Sequence, residues 1–72
     1  MENIVISTEF IKLSQLLKWA GIADTGSRAN DMIAEGLIKL NGIPETRRGK
    51  KIYHGDKILL EDKYEFLVIR EG

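Results

Sequence analysis

Residues 39 to 57 concentrate positive charge in a chain of 72 residues whose net charge is zero. The stretch reads KLNGIPETRRGKKIYHGDK, and its six basic and two acidic residues give it a net charge of +4. The residues before it and the residues after it each carry a net charge of −2. Its densest part, the basic cluster, comprises Arg47, Arg48, Lys50 and Lys51. Because such a cluster repels itself within a small domain, it predicts a polyanionic partner.

The basic cluster has the side chains to bind phosphate groups. An arginine can hold two phosphate oxygens at once, and a lysine acts as a point charge. A second interpretation is a solvated loop whose charges keep an exposed strand edge from aggregating.

A second candidate anion site lies at the start of a predicted helix, at Ser27 and Arg28. The helix dipole and the free backbone N–H groups there both favour a bound phosphate. Plain capping of the helix by Thr25 or Ser27 explains the same residues without a ligand. The sequence leaves these two interpretations open.

Two aromatic residues lie near basic ones. Trp19 is at the border of the apolar face of a predicted helix, and an indole beside a cation can stack on an unpaired base. A half-buried ring that covers the helix edge is the interpretation we favour. Tyr53, just after the basic cluster, is a weaker example of the same pattern.

The sequence argues against catalysis and against bound metals or cofactors. His54 is the sole histidine, and no base and orienting group accompany it. The adjacent acids Glu61 and Asp62 are typical of a solvated turn. There is no cysteine, and the glycines form no phosphate-loop or dinucleotide pattern. We therefore expect a protein that is not an enzyme.

The length predicts a single domain, residues 1–72, stabilised by packing alone. No export signal is visible, and no apolar run approaches the roughly 18 residues that span a membrane. We expect a cytoplasmic protein with no membrane contact, and size favours a monomer.

Two short helices are predicted from apolar residues at helical spacing. The first covers residues 13 to 20, ends before Gly21 and buries Leu13, Leu16, Leu17 and Ala20. The second starts after Thr25 or Ser27, closes at Gly36 and buries Ala29, Met32 and Ile33.

After Gly36 the apolar period changes to two, which predicts strands. Asn41-Gly42 is a two-residue turn signal, and Pro44 restricts the next segment to an edge strand or a loop. The predicted strands comprise residues 3–7, 38–40, 52–54, 57–60 and 65–70. The apolar run 66–69 suggests a strand covered on both faces. The order is β-αα-ββββ, an α+β domain in which no periodicity determines the conformation of residues 43–51.

Residues 12–58 resemble the RNA-binding domain of the ribosomal small-subunit protein of the S-four type, also called the alpha-L RNA-binding motif. The segments FIKLSQLLKWAG, TGSRA, LNG, ETRRGKK and GDKI are most similar to those of short stand-alone bacterial members, the YaaA-like and YbcJ-like proteins. The resemblance implies two short helices packed on a small, curved antiparallel sheet. It also implies binding of structured RNA, and the family's RNA-binding surface corresponds here to Lys12, Lys18, Ser27, Arg28 and Asn41.

The leading hypothesis is a non-catalytic module that binds structured RNA, with ribosomal RNA foremost. The basic cluster would hold phosphates while Lys12, Lys18 and Arg28 orient the RNA. The alternative is an adaptor that docks on proteins of a ribosomal or replication assembly. DNA binding is less favoured, because neither helix has the long basic face of a major-groove reader.

Overall fold

The structure is a computed structural model that describes all 72 residues, and its two helices form one layer. Helix α1 spans Leu13–Trp19 and helix α2 spans Gly26–Ala34. The predicted apolar faces are confirmed: both are buried, except that Ala20 is only partly so. Neither helix is long and apolar enough to cross a membrane.

Both helices end at a glycine with positive φ. Gly21 (φ 75°) and Gly36 (φ 77°) each donate to a carbonyl of the last turn, and the next residue donates to a carbonyl one position earlier. This double closure is the Schellman motif, which requires a left-handed residue. The predicted helix ends therefore have a backbone cause.

The chain also has seven strands: β1 (Glu2–Ile6), β2 (Phe10–Lys12), β3 (Ile38–Leu40), β4 (Ile43–Pro44), β5 (Lys51–Tyr53), β6 (Lys57–Leu60) and β7 (Tyr64–Arg70). Five of them form one sheet in the order β1-β7-β6-β3-β4. Strands β2 and β5 form a separate two-stranded antiparallel sheet, which we call the ribbon. The fold is α+β, as predicted.

Two details differ from the prediction. Strand β2 is not among the predicted strands, and β1 pairs with β7 in parallel, so the larger sheet is only mostly antiparallel. Strand β4 corresponds to the edge-strand alternative predicted at Pro44. Strand β2 is three residues long and continues into α1 without a turn, so the sequence contains no boundary that would reveal it. Strand β4 lies at the sheet edge, where Pro44 is tolerated.

The core lies between the helices and one face of the larger sheet. It consists of 13 buried apolar residues, one of which, Ile52, comes from the ribbon. Strand β7 lies between β1 and β6, but Val68 is its sole fully buried residue. The prediction that residues 66–69 are covered on both faces is wrong, because Leu67 and Ile69 point to the other face and are half-buried.

Candidate nucleic-acid interface

The loop that carries the basic cluster is attached to the start of α1. The backbone N–H of Leu13 donates to the carbonyl oxygen of Lys50 at 2.9 Å, and that of Ser14 donates to the carbonyl oxygen of Arg48 at 3.1 Å. Lys12 occupies the N-cap position and provides no side-chain cap. The loop therefore replaces a capping side chain, satisfying donors that a helix start leaves free. This attachment brings Lys12 and the basic cluster together.

Buried Glu45 stabilises the same loop through hydrogen bonds to Arg47. It is the one buried charged residue, and its carboxylate accepts from the Arg47 backbone N–H, Nε and Nη2 at 3.0 to 3.1 Å. The side-chain hydrogen bonds from Arg47 lower the pKa of Glu45 below its ordinary value of 4.5, against an opposing effect of burial. Arg47 thus stabilises the loop, although its side chain is 70% exposed.

The other three residues of the basic cluster have no carboxylate partner. Arg48, Lys50 and Lys51 form no ion pair within 4.0 Å, whereas Lys39 pairs with Asp62. Lys51 lies directly opposite Lys12 in the ribbon. Four cationic side chains near the start of α1 therefore have no carboxylate partner: Lys12, Arg48, Lys50 and Lys51.

Asn41 connects the two turn motifs that the sequence contains. Its Nδ2 donates to Asp56 Oδ1 at 3.1 Å, and its Oδ1 accepts from the Lys57 backbone N–H at 2.9 Å. Asp56 Oδ2 accepts from the Tyr53 backbone N–H at 2.8 Å. The positive φ of Asn41 (51°) and Gly42 (86°) is that of a tight hairpin turn, as predicted. Asn41 therefore joins the turn after β3 to the turn before β6.

Lys18 and Trp19 lie at the other end of α1. They line a shallow surface hollow of about 400 Å³ together with Ile11 and Gln15. The expectation that Trp19 is half-buried is wrong: it is 68% exposed. Its Nε1 donates to the Val5 carbonyl oxygen at 2.9 Å, which attaches the ring to β1.

Ser27 and Arg28 are exposed in the first turn of α2, and no hydrogen bond or ion pair joins them to the basic cluster. Thr25 is the cap, because its Oγ1 accepts from the Arg28 backbone N–H at 3.0 Å. The N–H groups of Gly26 and Ser27 have no protein acceptor. Ser27 and Arg28 thus form a polar site with one positive charge, separate from the basic cluster.

The remaining polar candidates have structural roles. His54 Nδ1 accepts from the Arg70 backbone N–H at 2.9 Å, which connects β5 to the end of β7. No group of three or more His, Cys, Asp or Glu side chains is placed to hold a metal ion. Glu61 and Asp62 form the turn between β6 and β7.

Sequence reasoning missed Glu45 and Phe10. In the sequence, the Glu45 carboxylate is only a charge opposing the basic cluster, since burial of a loop residue has no sequence signal. Phe10 pairs with Tyr53 across the ribbon, with ring centroids 5.9 Å apart. The segments 10–12 and 51–53 are too short to establish an alternating strand pattern, so the ribbon has no sequence signal of its own.

Known proteins resemble the chain over most of its length. The sequence model of the family described as S4 domain matches residues 4–69. The chain is 38% identical over 66 residues to the probable ribosome maturation protein RlbA of Bacillus subtilis, covering 92% of this chain and 93% of that protein. It is 40% identical over 48 residues to the putative RNA-binding protein YbcJ of Escherichia coli, covering 67% and 69%.

A solved structure has the same fold. The solution structure of YbcJ from Escherichia coli, described as revealing an alpha-L motif involved in RNA binding, superposes with a TM-score of 0.71. The match has 30% sequence identity and covers 96% of this chain and 87% of that one. The predicted resemblance is thereby confirmed, and the chain belongs to the S4 domain family.

Proposed function

We propose that this protein is a non-catalytic RNA-binding module that acts as a single-domain monomer in the cytoplasm and binds structured RNA, foremost ribosomal RNA. The observation that carries the proposal is the group of four unpaired cations around the start of α1: Lys12, Arg48, Lys50 and Lys51. The names of its relatives support it, since one is a putative RNA-binding protein and another a probable ribosome maturation protein.

The chemistry of the interface is phosphate binding on a preformed surface. Arg48 and Lys50 lie on a loop whose backbone is fixed by α1, so little backbone conformational entropy is lost when they bind. Arg47 adds a guanidinium oriented by Glu45, with Nη1 free of that ion pair. Lys18, Ser27 and Arg28 provide a second contact at the far end of α1 and the start of α2, and Asn41 contributes by holding the turn.

A charge-matched pair of variants tests the proposal. Binding of a fluorescently labelled transcript of a helix-rich ribosomal RNA segment is measured by anisotropy. The double variant Arg48→Ala/Lys50→Ala should weaken affinity about 10-fold or more, because two phosphate contacts are lost. The control Lys39→Ala/Lys63→Ala removes the same charge outside the interface and should change affinity little. Equal losses of affinity in the two variants would mean that RNA binding depends on the net charge and not on this interface.

The alternative is an adaptor that docks on proteins of a ribosomal or replication assembly. Ribonuclease treatment distinguishes it from the proposed RNA-binding module. The tagged protein is purified from cells with and without ribonuclease treatment of the lysate. The proposal predicts that its partners are lost when RNA is digested. Retention of the same partners, together with absent RNA binding by the purified protein, would favour the adaptor.

A further inference from the structure

The outward face of the ribbon combines two aromatic rings with two lysines. The register places Phe10 opposite Tyr53 and Lys12 opposite Lys51, with the pair Ile11 and Ile52 between them. Since side chains alternate along a strand, the two aromatic residues and the two lysines share one face. The other face belongs to the core, because Ile52 is fully buried and Ile11 packs against it.

The two rings differ in how much of their surface is free. Phe10 is half-buried: the Tyr53 ring leans against it at 47°, and Lys51 Nζ lies 4.7 Å from its centroid. Tyr53 is 43% exposed, and its hydroxyl forms no hydrogen bond with the protein. Phe10 thus supports a tyrosine ring that remains open to a ligand.

The lysines beside the rings lack a counter-charge. Like charges directly opposite in an antiparallel pair destabilise it. Neither Lys12 nor Lys51 has a carboxylate within 4.0 Å. An anion placed between the two ammonium groups would relieve this repulsion.

The ligand that satisfies both halves of this face has a flat ring and an attached anion. Same-face neighbours on a strand lie about 6.6 Å apart, so a ring stacked on Tyr53 keeps its attached phosphate close to the lysines. Base stacking on aromatic side chains is how proteins bind unpaired nucleotides, whereas paired bases are shielded inside a helix. An acidic peptide would use the lysines and leave the tyrosine face empty.

We infer that Tyr53, supported by Phe10, stacks on an unpaired base of the bound RNA, and that Lys12 and Lys51 hold the adjacent phosphate. This inference rests on the proposed function and adds a preference for RNA in which a single-stranded segment adjoins a helix. The helix would contact Arg48 and Lys50, and the single strand would cross the ribbon.

The test compares two RNAs with four proteins. The RNAs are a blunt duplex and the same duplex with an unpaired extension of several nucleotides. The proteins are the wild type, Tyr53→Leu, Tyr53→Phe and the control Tyr64→Leu. Tyr64 is a matched control, since it is 48% exposed and Lys63 Nζ lies 5.3 Å from its ring, but it sits on β7 beside acidic residues.

We expect the wild type to prefer the extended RNA. Tyr53→Leu should weaken binding of that RNA roughly 5- to 100-fold and leave duplex binding unchanged, because one stacked base is lost. Tyr53→Phe should retain affinity, and Tyr64→Leu should have no effect. If circular dichroism shows that Tyr53→Leu is unfolded, NMR spectra of the wild type test the inference instead. On addition of the extended RNA, the ring protons of Tyr53 should shift upfield and those of Tyr64 should not.

The failures are distinguishable. A wild type that binds neither RNA overturns the proposed function and this inference with it. A wild type that binds both RNAs equally, with Tyr53→Leu unchanged or with unshifted Tyr53 ring protons, overturns only the inference.

Discussion

The backbone N–H of Ser14 donates a hydrogen bond of 3.1 Å to the carbonyl oxygen of Arg48, so the basic loop serves as the cap of α1. With the neighbouring bond from Leu13 to Lys50, this contact determines where the basic cluster points. Binding residues are most effective on elements whose geometry is preset. The helix thus orients the cluster, and the cluster's loop stabilises the helix.

This relationship predicts unequal hydrogen exchange at the two helix starts. The amides of Leu13 and Ser14 should exchange at least about 10-fold more slowly than those of Gly26 and Ser27, after correction for intrinsic rates, because the latter pair has no protein acceptor. Native-state exchange followed by NMR makes the comparison within one sample. Equally fast exchange at all four amides would mean that the loop is detached from α1 in solution.

The Glu45 and Arg47 ion pair predicts a pH dependence of stability. The pKa of Glu45 is lowered in the folded protein. The ionised carboxylate therefore stabilises the fold fully above about pH 4.5, and this contribution is lost as the pH falls through the folded-state pKa. Thermal unfolding should therefore show Glu45→Gln to be less stable than the wild type at pH 7, with the difference shrinking towards pH 3. A difference that stays constant with pH would contradict this origin.

The hydrogen bond between Asn41 and Asp56 predicts a coupled loss of stability. Asn41→Gly tolerates the positive φ but removes both amide hydrogen bonds, and should cost about 1 to 3 kcal/mol. Glu61→Gly is the control, since Glu61 also has positive φ (53°) and its side chain forms no hydrogen bond or ion pair. In urea unfolding, Asn41→Gly and Asp56→Ala should be non-additive by about 1 kcal/mol. Full additivity would show that the two side chains act independently.

The indole of Trp19 has a structural role that can be separated from RNA binding. Trp19→Phe removes the bond to the Val5 carbonyl and should lower stability by about 0.5 to 1.5 kcal/mol in urea unfolding followed by circular dichroism. The affinity for RNA should change little, because the indole bonds to β1 and its ring stacks on neither Phe10 nor Tyr53. A clear loss of affinity with unchanged stability would instead assign Trp19 to base stacking.

The helices, their buried faces, the Asn41-Gly42 turn and the family were predictable, because each has a local signal of spacing or backbone conformation. The cluster's environment was not. Residues 43–51 have no period, and their conformation depends on bonds to Leu13 and Ser14, which are more than 30 residues away in sequence. The burial of Glu45 and the pairing of β2 with β5 also depend on tertiary contacts. Residue types therefore predicted the charge of the interface, and the fold determined which charges are free.

The salt dependence of RNA affinity tests the central claim most directly. If about five phosphates are neutralised, log affinity should fall against log salt concentration with a slope of roughly −3.5 to −4.5 for the wild type. The variant Arg48→Ala/Lys50→Ala/Lys51→Ala should have a slope smaller in magnitude by about 2 to 3. A wild-type slope near zero, or the same slope in the triple variant, would contradict phosphate binding by this cluster.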